Sequence, residues 1–405
     1  MIHRRRPLGW MGVIALACAG DAGAQQAARP IRPLDHIVAS TTDSLGIIRG
    51  ARQLSDGRVL VNDGGHSELI LYDASLRRLR VVADTNVETS KAYGAGTGDI
   101  LRARGDTTLF LDWSSRAFVT VLPNGTLGKI VAVPPLSELG YLGLSHRNGT
   151  AGFDGRGRLI FRSGARCHSP PGSADGKDSG PVGDSAALVR ADMVTRQIDT
   201  IACYKEFVPK RGSPGFTLPL PNGDRIVIAP TIIDPFPISD DWAILSDGSL
   251  AIIRSHDYHI DWIDPDGTTR STPPMPFHWD RITDSAKTAI IDSLRAHADS
   301  VTYGKVKGPP QQYVDAADLP DYRAPFRPNG AVGDGDAHVW IQVALMPQPE
   351  GGPVYDVVDR TGTVIDRVQV PGDTFIVGFG PGVVYLSSRD GARYSLVKVA
   401  LDWKR

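Results

Sequence analysis

Residues 46–83 read GIIRGARQLSDGRVLVNDGGHSELILYDASLRRLRVVA, and this stretch decides the fold. Ile47 to Gln53 is a strand-like run, and Ser55-Asp56-Gly57 is a turn. Arg58 to Asn62 is a second run, followed by a loop from Asp63 to Ser67. Glu68 to Tyr72 is a third, and a turn from Asp73 to Leu76 leads into a fourth, Arg78 to Ala83. β-branched and aromatic residues fill the runs, while Gly, Asp and Asn fill the gaps. Four short antiparallel strands in about 40 residues make one blade of a β-propeller.

Working outward, the unit returns. It recurs over 98–134, 149–205, 240–272, 330–371 and 374–402, each time with strand-like runs parted by Gly, Asp or Asn. The last unit is one strand short. The segment 35–41, containing His36-Ile37-Val38-Ala39-Ser40, supplies the missing strand and closes the ring. The expected fold is therefore an all-β, six-bladed β-propeller, formed as a single domain by residues 25–405. Arg225 to Ala229 and the segment 210–222 fit no blade, so five or seven blades stay open as alternatives.

Two stretches interrupt the rhythm. Residues 169–185, rich in Gly, Ser, Asp and Pro, read as a loop insertion. Residues 279–310 read as a helical insertion with one helix over about 283–302. Thr283 is its N-cap, and Ile290, Leu294, His297 and Val301 form one face. Such a helix is either a lid over one end of the ring or a packing decoration.

The N-terminus carries export features. Arg4-Arg5-Arg6 precede an apolar run from Leu8 to Cys18, and Ala22-Gly23-Ala24 forms an A-x-A site. This pattern predicts a signal peptide over residues 1–24 and a periplasmic or secreted protein. A lipid anchor at Cys18 is the alternative to cleavage after Ala24. The run is too short to span a bilayer, and no later stretch is apolar enough, so no transmembrane segment is expected after cleavage.

The full chain has 44 Lys+Arg and 45 Asp+Glu, a net charge of −1. Loss of three arginines and Asp21 on cleavage leaves 41 and 44, a net −3. That balance gives no electrostatic case for nucleic acid. Cleavage also leaves two cysteines, Cys167 and Cys203, which in an exported protein predict one disulfide.

Three phrases carry a resemblance. Gln53-Leu-Ser-Asp-Gly-Arg-Val-Leu-Val-Asn-Asp63, Ala243-Ile-Leu-Ser-Asp-Gly-Ser-Leu-Ala-Ile-Ile253 and Tyr355-Asp-Val-Val-Asp-Arg-Thr-Gly-Thr-Val364 resemble exported bacterial six-bladed propellers of NHL- and TolB-like pattern, a largely uncharacterised group. The motifs are turns between strands, so they speak to fold rather than function. Related folds include gluconolactonase-type hydrolases with a central divalent metal, an activity that fold alone does not transfer.

The loops joining the second and third strands of all blades share one end of the ring. In register they offer Asp63 and His66, then Arg116, then Arg162, Arg166 and His168, then Asp257, Tyr258 and His259, then Asp390. Connections between blades add Arg323 and Arg327 at the same end. A ring of Arg, His and Asp suits an anionic or sugar-like ligand held by charge-assisted hydrogen bonds. The candidate ligand-binding residues are thus Asp63, His66, Arg116, Arg166, His168, Asp257, Tyr258, His259, Arg327 and Asp390.

The expected function is a scaffold that binds a protein or small polar ligand through this loop face. The alternative is a metal-dependent hydrolase or lyase with a gluconolactonase-like site at the channel mouth. No cofactor is expected under the first reading, and a divalent cation is required under the second. The sequence has no H-E-x-x-H, no D-x-D-x-D-G loop and no G-x-S-x-G, so no catalytic residue is assigned.

Overall fold

The structure, a computed structural model, describes residues 29–85, 93–94, 99–134, 136–142, 149–167, 185–210, 212, 216–219, 225–228, 231–300, 302–303, 306–307, 311–345, 349–391 and 393–402. Six antiparallel four-stranded sheets follow one another along the chain. Blade 1 has strands A to D at Ile48–Gln53, Val59–Asp63, Glu68–Tyr72 and Arg78–Ala83. Blade 2 runs from Ile100 to Ala132, blade 3 from Gly152 to Lys205, blade 4 from Asp241 to Ser271, and blade 5 from Phe326 to Gln369.

Blade 6 takes strands A to C from Thr374–Gly380, Val383–Asp390 and Arg393–Ala400. Its fourth strand is Ile37–Ser40, antiparallel to Arg393–Ala400, as the sequence required. The sequence did not reveal a further clasp: Arg32–Pro33 pairs in parallel with Val364–Gln369, adding a fifth strand to blade 5. Arg32 fixes it by donating to Asp366 Oδ2 from Nε at 3.0 Å and Nη2 at 2.6 Å.

The ring is held by apolar packing between blades. Strand B is buried along its length in Val59–Asp63 and Thr108–Asp112, because both faces of a blade meet a neighbour. Six separate core clusters fill the six junctions. Leu60, Leu71 and Phe110 lie between blades 1 and 2, and Leu111, Phe118 and Phe161 between 2 and 3. Ile160, Trp242 and Ile252 lie between 3 and 4, and Trp262, Phe326 and Ile341 between 4 and 5. Trp340, Val384 and Leu386 join 5 to 6, and Tyr385, Val61 and Ile70 join 6 to 1. Six junctions for six blades settle the count.

Strand A of each blade is innermost, and neighbouring A strands nearly touch. A Cβ placed on Gly378 would sit 1.9 Å from the Ala51 carbonyl oxygen, and one on Gly333 would sit 2.3 Å from that of Ile244. Glycine is required at both by this close approach.

The A–B and C–D turns lie at one end and lock blade to blade. Buried Arg52 donates from Nη1 to Thr108 Oγ1 at 2.7 Å and also to the Thr107 carbonyl. Desolvation pulls its pKa down to about 10. Arg196 donates to the carbonyls of Ala132 and Val133. The opposite end carries the B–C turns, the blade connections and the helical insertion.

The segments that fitted no blade pair with each other. Phe216–Pro219 and Arg225–Ile228 form a hairpin outside the ring. Ile232–Ile233 then runs parallel to Gln312–Tyr313, joining the 206–240 connection to the helical insertion. The helix spans Asp284–Ser300, and Thr283 Oγ1 accepts from Ala286 N at 3.3 Å as N-cap. Its buried face differs from the expected one. Lys287 and Ile291 are buried, whereas His297 is exposed. The Ile291 side chain packs with Val314, Leu319, Ile232 and Phe236, which pull the face round by one position. Lys287 tolerates burial because its Nζ donates to Asp321 Oδ1 at 2.6 Å.

Candidate functional site

Most residues expected to bind through B–C turns are occupied in making those turns. Asp63 ends strand B of blade 1 with its side chain buried. Its carboxylate accepts from the backbone N–H groups of Gly46, Gly65 and His66, and from His66 Nδ1 at 2.8 Å. Asp112 does the same for Gly94, Ser114 and Ser115 in blade 2. Ser67, Arg116 and Tyr258 occupy matching places just before strand C, at φ of 57°, 52° and 54°. A recurring left-handed turn residue thus accounts for Arg116 and Tyr258. The Tyr258 ring is buried against Phe277 and Phe326, so its side chain belongs to the core of blades 4 and 5.

In blade 4 the polar residues engage one another. His259 donates from Nδ1 to Asp257 Oδ1 at 2.6 Å, and its Nε2 lies 3.2 Å from Asp261 Oδ1. Arg254 donates to Asp261 at 2.7 Å and to Asp240 at 3.0 Å. Asp390 is exposed and pairs in register with Arg393. His168 and most of the 169–185 insertion lie outside the described residues, as do the signal-peptide segment and Cys18. Among the described residues, no three His, Cys, Asp or Glu side chains gather in a way that could hold a metal ion.

Two expected residues do come together. Arg166 and Arg327 line a cavity of about 1300 Å³ formed by blades 3 and 5, the 206–240 connection and the segment 323–329. Arg162 and Arg323 line it as well, with Glu206 the sole acid of the lining among the described residues. Tyr141, Tyr204, Phe207, Phe236 and Phe326 supply aromatic wall, and Pro209, Pro235, Pro237 and Pro328 stiffen it. The volume exceeds the usual range of about 300–1,000 Å³ for small-molecule pockets.

Blade 3 builds the cationic wall. Arg162 and Arg166 follow one another on strand B, Leu159–Arg166. Pairing with strand C is regular to Arg162↔Leu188, slips, and resumes at Arg166↔Ala186. The extra residues form a bulge that re-aims Arg166. Glu138 holds the bulge by accepting from Gly164 N at 2.9 Å and Ser163 Oγ at 3.1 Å. Glu206, just past strand D, then receives both arginines. Arg162 forks onto it, with Nε 2.9 Å from Oε1 and Nη2 on Oε2. Arg166 Nη1 adds a third bond to Oε2 at 2.7 Å.

Arg162 is buried, with its guanidinium 4.1 Å from the Tyr141 ring centre. Burial alone would lower its pKa, but the hydrogen bonds and charge of Glu206 raise it instead. Tyr204 is pushed upward, first by burial and then by Glu206, so it is a neutral phenol at physiological pH.

The expected disulfide stands beside this wall. Cys167 and Cys203 are bonded, with Cα atoms 6.1 Å apart. The bridge joins the residue after Arg166 to the residue before Tyr204. The opposite wall comes from the 206–240 connection and the segment 323–329. Arg323 stacks over Phe236, with Cζ 5.7 Å from the ring centre, and its Nε has no hydrogen-bond partner among the described residues. Its backbone N–H donates to the Asp280 carbonyl at 3.4 Å and Ile282 N to that of Asp321 at 2.7 Å, which seats this segment against the stem of the helical insertion.

Sequence reading placed Arg162, Arg166, Arg323 and Arg327 at this end but did not gather them, and it missed Glu206, Tyr141 and Tyr204. One signal was present. The chain has only five glutamates, and Glu138 and Glu206 both serve this wall.

No known protein family matches the sequence, and no curated protein matches it. Among solved structures, it is similar to a virginiamycin B lyase from Staphylococcus aureus at 9% identity and a TM-score of 0.37, over 90% of this chain and 98% of that one. It is also similar to a calcium-binding regucalcin from Agrobacterium tumefaciens at 11% identity and 0.39, over 92% and 97%. A third is a putative gluconolactonase, at 11% identity and 0.36, over 92% and 97%. Likeness at this level carries nothing about chemistry. Strand pairing and cavity together define the class, a six-bladed propeller with a cationic, aromatic-walled cavity at the loop-bearing end.

Proposed function

We propose that the protein binds a small organic anion in this cavity. The observation that carries the reading is the lining itself: four arginines, one acid and five aromatic rings around about 1300 Å³. Guanidinium groups bind carboxylate and phosphate oxygens through short, charge-assisted hydrogen bonds. Aromatic and proline walls take an apolar body and lower the local dielectric, which strengthens those bonds. The polar groups that a metal-dependent hydrolase would use at the B–C turns of blades 1 and 4 are bonded to one another and to backbone, which favours binding over that alternative. We place the protein in an oxidising compartment, a reading supported by the export features of residues 1–24 and by the Cys167–Cys203 bridge.

A thermal-shift screen tests this proposal. Ligands bound only by the folded state stabilise it by an amount that grows with the logarithm of concentration over Kd. Aromatic carboxylates, sulfonates and phosphates should raise the melting temperature, while matched amines and neutral sugars should not. Equal shifts across the three groups would refute it.

A further inference from the structure

We infer that the ligand carries at least two negative charges on one apolar body. This rests on the anion-binding reading above. Arg162, Arg166, Arg323 and Arg327 bring four positive charges to the described lining and Glu206 brings one negative charge, an excess of three. Uncompensated like charges in a partly walled, aromatic-lined cavity are costly. A monoanion leaves two cations uncompensated, and a dianion leaves one.

The hydrogen bonding distinguishes Arg162, Arg166 and Arg323. Arg162 is buried beneath Tyr141 and forked onto Glu206, with its buried Nη1 making no hydrogen bond among the described residues. Arg166 gives Glu206 a single bond, from Nη1, out of the five donors a guanidinium carries, and its side chain is 22% exposed. Arg323 is held by its stacking on Phe236, and its Nε makes no hydrogen bond within the described structure. Arg166 and Arg323 thus have donors to spare, one on the ring and one beside the insertion. Glu206 makes Arg166 selective: a weakly charged group gains little there, while a full negative charge replaces part of what Glu206 supplies.

The test compares phenylacetate, para-phenylenediacetate, phenyl phosphate and inorganic phosphate by calorimetric titration of the mature protein at low salt. At least one aromatic dianion should bind about tenfold or more tighter than phenylacetate, the gain of one further charge-assisted contact. If para-phenylenediacetate leads, the charges sit on two groups; if phenyl phosphate leads, they sit on one. Arg166→Gln keeps the Arg162–Glu206 fork and should reduce the better dianion to the affinity of phenylacetate. Phenylacetate should lose less than the dianion does, so the ratio of the two affinities falls toward one.

Equal affinity of monoanion and dianions in the wild-type protein would overturn the inference while leaving anion binding standing, and this comparison needs no variant to fold. Loss of all ligands alike in a folded Arg166→Gln protein would overturn it too. Inorganic phosphate binding as tightly as phenyl phosphate would show that the apolar body is irrelevant. If none of the four probes binds, the anion-binding reading and the inference fall together.

Discussion

Glu206→Gln should be among the most destabilising single changes at this end of the ring. In the wild-type protein, Arg162 and Glu206 are 5% and 16% exposed, so the pair stands largely out of water. Three hydrogen bonds from two guanidiniums converge on the one carboxylate. Glutamine keeps the shape, retains one acceptor oxygen and turns an amide N–H₂ toward cationic donors. The buried Arg162 then has no counter-charge. Removing one partner of a buried pair costs about 3–5 kcal/mol, because the other charge is left behind. The lower end of that range is expected, since the stacking on Tyr141 survives. Urea unfolding of wild type, Glu206→Gln, Arg162→Met and the double variant gives the coupling directly. The double variant should recover most of the loss, because it buries no unpaired charge. A cost below about 1 kcal/mol for Glu206→Gln would show a solvent-screened pair and refute the account of the cationic wall.

Three other outcomes follow from the fold. Gly378→Ala should destabilise strongly, because its Cβ would meet the Ala51 carbonyl at 1.9 Å and blades 6 and 1 would have to part; unchanged urea stability would contradict the tight inner ring. Replacing both Cys167 and Cys203 by Ser should cost about 2–4 kcal/mol and lower ligand affinity, since the bridge fixes the strands that carry Arg166 and Tyr204. Asp241 gives a pH signature. Burial raises its pKa to about 7, against three backbone N–H bonds from Trp242, Ala331 and Gly330 that lower it. A raised folded pKa means the folded state holds the proton more tightly, so this contribution is full below about pH 4 and is lost as pH rises to about 7. Asp241→Asn should flatten the stability profile over that window, as read by urea midpoints at each pH.

The fold was legible because the strands repeat a short pattern with turn residues between them, and because a missing fourth strand in blade 6 pointed to 35–41. Cys167 and Cys203 pair, as the sequence suggested. The cavity was legible only in part. Arg166 and Arg327 could be placed at the right end by counting strands, but their meeting depends on a bulge at Ser163–Ala165 and on the packing of the 206–240 connection against the helical insertion through Ile291, Val314 and Ile232. No local spacing encodes those contacts. Asp63, His66, Arg116 and Tyr258 stand at hairpin ends, where the sequence leaves two readings. A polar or left-handed residue at a hairpin end reads equally as a ligand donor or as turn chemistry, and the hydrogen bonds of Asp63 show turn chemistry.

The most direct test of the central claim is a calorimetric titration of an aromatic acid into the mature wild-type protein and into Arg323→Ala, at low and at high salt. Saturable binding in the wild type, weakened by salt and reduced about tenfold or more by Arg323→Ala, is the expected result. Binding that ignores both salt and Arg323, or no binding across a series of organic anions, would contradict the assignment of this cavity.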